Sequence, residues 1–159
     1  MPLVVDILRH GEAESAGAGG DRTRALSPAG RKAMAALAVT LAGEGWRPGR
    51  IFSSPLARAR QTAEIVGGAA APDAPAIEPM EELGADREPH EVLAALEAQG
   101  ATAGHILLVT HQPLAGRLAA ILTGTEPGFR PGTLVRIEFA AALTPRRGRV
   151  VRTIPPAPE

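Results

Sequence analysis

A run of aliphatic and β-branched residues, Leu3-Val4-Val5-Asp6-Ile7-Leu8, stops abruptly at Arg9-His10-Gly11. A run of this kind predicts a buried strand. Gly11 lets the chain turn sharply away, which leaves a guanidinium and an imidazole at the strand's carboxyl end. In open α/β sheets ligands bind at that edge. Two later segments repeat the pattern. Arg50-Ile51-Phe52-Ser53 runs into Ser54-Pro55 with Arg58 beyond, and His105 to Thr110 runs into His111-Gln112-Pro113.

Helical patterns fill the intervals. Ser27 reads as an N-cap and Pro28 as the first helical residue, and the helix runs to about Ala42 with Met34, Leu37, Ala38 and Leu41 on one face. A second helix opens at Ser54-Pro55, buries Ala59, Ala63 and Val66, and stops at Gly67-Gly68. Residues 69–79 read as an irregular connection, because prolines at 72, 75 and 79 argue against a helix. Further helices are predicted over Glu88 to Gln99 and Gln112 to Leu122, and further strands over Thr133 to Phe139 and Arg149 to Ile154. Strands alternating with helices predict a three-layer α/β/α sandwich with a mostly parallel central sheet and antiparallel edge strands from the C-terminus. The expected layout is one domain over residues 1–154 and a frayed proline-rich tail over 155–159.

A chain of 159 residues suffices for one hydrophobic core. Its formal net charge is zero, so no long-range field draws it to nucleic acid or to an anionic membrane. Cysteine is absent, which excludes disulfides, a thiolate nucleophile and cysteine-based zinc sites. No apolar stretch approaches ~18 residues and no signal segment precedes the first strand, so the expected location is cytoplasmic. Lys32 is the only lysine; the other cations are arginines, which suit bidentate phosphate or carboxylate recognition.

Parallel neighbouring strands would bring the three polar signatures to one sheet edge, beside helix N-termini that favour an anion. Two imidazoles and at least two guanidiniums there suit a phosphoryl group. A metal is the competing reading of two convergent histidines. It would need further ligands, the chain has no HxH or HExxH spacing, and neighbouring arginines would repel a divalent cation. His90 and His105 fall at a helix start and a strand start, away from this edge. No metal and no other cofactor is expected. Arg22 and Arg60 read as solvated surface charges.

At these residues the chain resembles the histidine phosphatase (phosphoglycerate-mutase-like) superfamily. Leu8-Arg9-His10-Gly11-Glu12-Ala13 is similar to its RHG signature. Ser53-Ser54-Pro55-Leu56-Ala57-Arg58-Ala59-Arg60-Gln61-Thr62-Ala63 resembles its S-S-P-x-x-R-A-x-Q-T-A segment. Val109-Thr110-His111-Gln112-Pro113 resembles the strand that carries its second essential histidine, with Thr110 where the family usually has Gly. The resemblance runs from residue 3 to about 123. The short chain, and Arg24-Ala25-Leu26-Ser27-Pro28-Ala29-Gly30, look most like the small SixA-type phosphohistidine phosphatase branch.

The resemblance implies that His10 is the nucleophile and forms a covalent phosphohistidine that water hydrolyses. A backbone carbonyl at its other ring nitrogen is expected to fix the tautomer. Arg9, Arg58 and His111 would hold the nonbridging oxygens, and Arg24 would add a phosphate or substrate contact. Larger members use a mid-chain carboxylate as proton donor; Glu82 matches best, with Glu81, Glu12 or no residue as alternatives. The implied substrate is phosphohistidine in a phosphorelay-type protein. The alternatives are a small phosphomonoester and a phosphate-binding module without turnover.

Overall fold

The computed structural model describes residues 2–16 and 18–158. Six strands form one sheet: β1 (Leu3–Arg9), β2 (Arg50–Ser53), β3 (Ile77–Pro79), β4 (Gly104–Thr110), β5 (Leu134–Phe139) and β6 (Arg149–Ile154). Their spatial order is β3-β2-β4-β1-β5-β6. The first four pair in parallel, while β5 and β6 add antiparallel strands at one edge. Four helices accompany them: α1 (Pro28–Gly43), α2 (Ala57–Gly67), α3 (Pro89–Ala98) and α4 (Leu114–Thr123).

Strand periodicity divides the apolar residues between two cores. Leu3, Val5 and Ile7 of β1 join Phe52, Ile106 and Leu108 on one face, covered by Val92 and Leu96 of α3 and by Leu114 and Leu118 of α4. Leu8, Ile51, Leu107 and Val109 occupy the other face under Met34, Leu37 and Leu41 of α1 and Ala59, Ala63 and Val66 of α2. Two covered faces explain why the parallel strands are almost continuously apolar.

The boundaries depart from expectation at three places. Ile77–Pro79, read as irregular, is a short parallel strand on β2. Its proline is tolerated because the strand is an edge and Pro79 is its last residue, and Arg50 and Glu78 pair across it at 2.6 Å. α2 begins at Ala57 rather than Ser54, since Ser54 and Pro55 form the entry turn. α4 begins at Leu114, after the cis Gln112-Pro113 bond. Residues 155–158 join no strand, yet Pro156 is half-buried; a methyl group placed on Gly132 would lie 3.3 Å from its Cβ. Glu159 lies outside the described residues.

The start of α1 is sewn to the segment after β1. Ser27 caps the helix by accepting the Gly30 N–H at 3.0 Å, with Pro28 in the first turn. Ser27 N–H also donates to the Glu12 carbonyl at 3.0 Å, Ala13 bridges Leu26, and Glu14 N–H donates to Ala25 O at 2.9 Å. Gly30 is required there: a Cβ would stand 2.0 Å from the Glu12 carbonyl oxygen.

Candidate active site

β4 lies between β2 and β1, with Arg9 opposite Thr110 and Ser53 opposite Val109. The three strand ends therefore share one edge. The ladder continues a residue further on each side: His10 N–H donates to Thr110 O and Ser54 N–H to Val109 O, both at 3.0 Å. His10, Ser54 and His111 stand side by side as a consequence, all three buried. The two imidazole centroids are 5.0 Å apart, with the rings tilted by 59°.

His10 Nδ1 lies 2.7 Å from the Gly11 carbonyl oxygen. A carbonyl only accepts, so Nδ1 carries the proton and Nε2 keeps its lone pair. Burial, reinforced by the charges of Arg58, Arg9 and Arg24, holds this imidazole down to about 4, against the opposing hydrogen bond to Gly11. The imidazole is neutral at ordinary pH.

His111 is held down to about 3, again chiefly by burial and then by His10 and Arg58, with Asp21 opposing. Its Nε2 lies 2.7 Å from Ser54 Oγ, which also accepts the Leu56 N–H at 3.2 Å. The Ser54 hydroxyl can donate its proton to Nε2, and in that tautomer neutral His111 carries its own proton on Nδ1. That Nδ1 is buried without an internal partner, as are Arg9 Nε and Arg58 Nε. Buried donors are almost always satisfied. Three unsatisfied ones at a single sheet edge describe a receptor for an anion.

The guanidiniums reach this edge from three elements. Arg9, at the end of β1, is anchored by Nη1 donating to Phe129 O at 2.9 Å. Arg58 projects from the first turn of α2; its Nη1 and Nη2 donate to the carbonyl oxygen and carboxylate of Asp21 at 2.8 and 3.2 Å. Arg24 comes from the loop before α1, donating to Glu14 O at 2.8 Å and to Asp21 Oδ1 at 3.2 Å. Arg22 and Arg60 are exposed, and Arg60 pairs with Glu64.

The three carboxylates weighed as proton donors separate. Glu82, half-buried, lines a cavity with Pro79, Met80 and residues of α3, which includes none of the donors above. Glu81 borders that cavity and also another of about 220 Å³, shared with Asp21, Leu56 and Arg87. Glu12 turns to the cap of α1, where Ser27 Oγ donates to its carboxylate at 3.1 Å.

Sequence reading gave no task to Ser54, Asp21, Gln61 or Thr62. Thr62 Oγ1 accepts the Gly11 N–H at 3.1 Å and donates to Arg58 O at 2.8 Å, tying α2 to the turn after His10. Gln61 accepts the Leu26 N–H at 2.8 Å. The adjacent Gln61-Thr62 pair on a helix that also carries Arg58 was the available signal. Among the described residues there is no group of three potential metal ligands, and no helix long and apolar enough to cross a membrane.

The model of the histidine phosphatase superfamily (branch 1) matches residues 5–85, which contain the first two motifs. No curated protein matches the chain. The solved structure of the protein histidine phosphatase SixA complexed with tungstate is similar at 28% identity, covering 96% of each chain with a TM-score of 0.82. A protein assigned as the phosphohistidine phosphatase SixA of Agrobacterium tumefaciens matches at 26% identity over 99% of each chain, with a TM-score of 0.81. A mycobacterial glucosyl-3-phosphoglycerate phosphatase shares the fold at 18% identity and a TM-score of 0.69, over 95% of this chain and 98% of its own.

Proposed function

The chain belongs to the histidine phosphatase superfamily, and from that premise we propose that it is a metal-independent phosphatase working through a covalent phosphohistidine on His10. The observation that carries this reading is the tautomer of His10. Its Nδ1 proton is spent on Gly11 O, so Nε2 presents a lone pair beside the unsatisfied donors of Arg9, Arg58 and His111.

In this mechanism Nε2 attacks phosphorus in line. The bond from phosphorus to the leaving atom breaks, and its electron pair goes to that atom, which takes up a proton. Water then attacks the phosphorus, the P–N bond breaks, and His10 recovers its lone pair as phosphate departs. The guanidiniums and His111 Nδ1–H balance the charge that moves among the nonbridging oxygens. Arg24 adds a contact at the rim.

The proposed substrate is phosphohistidine in a protein of the phosphorelay type, and with it comes a cytoplasmic location. Protonated imidazole leaves easily, so such a substrate asks little of a general acid. That agrees with the carboxylates: Glu82 faces another cavity, and Glu81 alone of the pair borders the space beside Asp21. The SixA relative at 28% identity, bound to the tetrahedral oxyanion tungstate, supports the same reading.

Incubation with a phosphohistidine-bearing protein is expected to leave acid-labile label on His10. The His10→Ala variant is expected to lose the label and turnover by on the order of 10⁴-fold or more. An unlabelled protein whose His10→Ala variant turns over normally overturns the reading. Higher kcat/KM on small phosphomonoesters moves the substrate to metabolites, and tight phosphate binding without hydrolysis makes the chain a binding module.

A further inference from the structure

One carboxylate joins two of the three guanidiniums, Arg24 and Arg58, and has no task in the proposed mechanism. Asp21 opens a 3-10 turn, Asp21–Thr23, entered through Gly20 at φ 80°. Its Oδ1 lies 3.2 Å from Arg24 Nη1 and its Oδ2 3.2 Å from Arg58 Nη2. Its backbone oxygen accepts Arg58 Nη1 at 2.8 Å. The Arg58 side chain is 6% exposed and that of Asp21 55%, so the carboxylate reaches a buried cation from the mouth of the pocket. Helix α2 thus fixes Arg58, Arg58 fixes the turn, and the turn presents Arg24. Asp21 occupies both terminal nitrogens of Arg58 and leaves Nε unpartnered.

We infer that Asp21 is the positioning residue of the phosphate clamp: it orients Arg58 with Nε–H free for a phosphoryl oxygen and holds Arg24 at the same pocket. The inference rests on the reading of this pocket as a phosphoryl site. Asp21 does not touch the reacting atoms in this role; it acts through the two arginines.

Its charge has a second effect. The guanidiniums of Arg9, Arg24 and Arg58 all bear on His10, and Asp21 bears on His111. Three cations with one carboxylate match the charge of a phosphoryl dianion; three cations alone exceed it. The hydrogen bond from Arg24, then those from Arg58, hold the Asp21 carboxyl below the usual carboxylate range, so it stays ionised wherever His10 is neutral. Without Asp21 the clamp gains charge and loses alignment. Inorganic phosphate, the product, is then held more tightly while the transition state is held less well.

The test compares wild type with Asp21→Asn, Asp21→Ala, Arg24→Ala and the Asp21→Ala/Arg24→Ala double variant. Three quantities are measured on each: turnover of phosphoramidate, a small P–N substrate, inhibition by inorganic phosphate, and Tm. Asp21→Ala is expected to lose about tenfold to a hundredfold in kcat, to be inhibited by several-fold less phosphate, and to keep its Tm. Asp21→Asn, which retains one acceptor, is expected to fall between. Removing Asp21 costs less once Arg24 is gone. Wild-type kcat in Asp21→Ala overturns the inference. So does a gain in kcat/KM, which would make the carboxylate a competitor of substrate, or a parallel loss of rate and Tm, which would make it merely structural. A wild-type protein that neither turns over phosphoramidate nor binds phosphate overturns the phosphatase reading and this inference with it.

Discussion

Asp6 and His10 are both buried, one within β1 and one just beyond it, and both stand among arginines; their surroundings are opposite in kind. Asp6 is closed. Its carboxylate accepts Trp46 Nε1 at 2.9 Å, His105 Nε2 at 2.6 Å, and Arg136 Nε and Nη2 at 2.8 and 3.2 Å. Burial pushes its carboxyl up, but the hydrogen bonds from His105 and Arg136 outweigh this and hold it below the usual carboxylate range. The His10 pocket is open: its cations meet one carboxylate at the mouth, and three buried donors find no partner in the protein. A polar cluster completed internally supports the fold, whereas one left incomplete at a strand edge is a site.

The contrast is broken most severely by Asp6→Asn. Removing one partner of a buried ionic group costs about 3–5 kcal/mol, so urea denaturation should show a loss of that size. Below its new melting range the variant should retain wild-type kcat. A large loss of kcat without a loss of stability would erase the distinction.

Arg58→Met is the converse. Turnover should fall about 10²- to 10³-fold, as for loss of one transition-state donor. The methionine keeps an apolar stem and removes a buried, incompletely paired cation, so stability should hold or rise. A melting curve beside a kcat measurement checks both.

The smallest effect is in pH. Between pH 6.5 and about 4 the unfolded chain binds protons on histidines that the folded chain keeps neutral at positions 10 and 111. The unfolded state then binds more protons, so stability falls as the pH falls through this window. The Asp6 contribution is lost only below the carboxylate range. His111→Gln should flatten the stability slope between pH 6.5 and 4, and Asp6→Asn should leave it in place. Wild-type kcat/KM should survive down to about pH 4, because the same burial keeps the His10 lone pair available.

What could be read in advance follows from how local each signal is. β1, β2 and β4 announce themselves as apolar runs stopped by Gly, Ser-Pro or Gln-Pro, and pairing as parallel neighbours brings Arg9, His10, Arg58 and His111 together. β3 is three residues long and ends in Pro79, so neither periodicity nor propensity marks it; pairing with β2 makes it a strand. The Asp6 cluster draws on Trp46, His105 and Arg136, which only the folded sheet brings near. Ser54 gains its task from a histidine 57 positions away, and Asp21 from an arginine 37 positions away. Its place along the chain marks Glu82 as a candidate, whereas the 3-10 turn Glu81–Leu83 sets it against the cavity lined by Pro79, Met80 and residues of α3.

The stitching of residues 12–14 to residues 25–27 also bears on how this scaffold can be altered. Because Glu12, Ala13 and Glu14 are bonded to Ser27, Leu26 and Ala25, the span between them has a fixed base, and Arg58 of α2 ties it down once more at Asp21. Asp21 and Arg24 belong to that span, while His10 stays with β1. A loop of different length or composition grafted between residues 15 and 20 would exchange the rim of the pocket while keeping Asp21, Arg24 and the alignment that the sheet gives His10. The architecture offers a route to new substrate preferences that does not begin by damaging the chemistry.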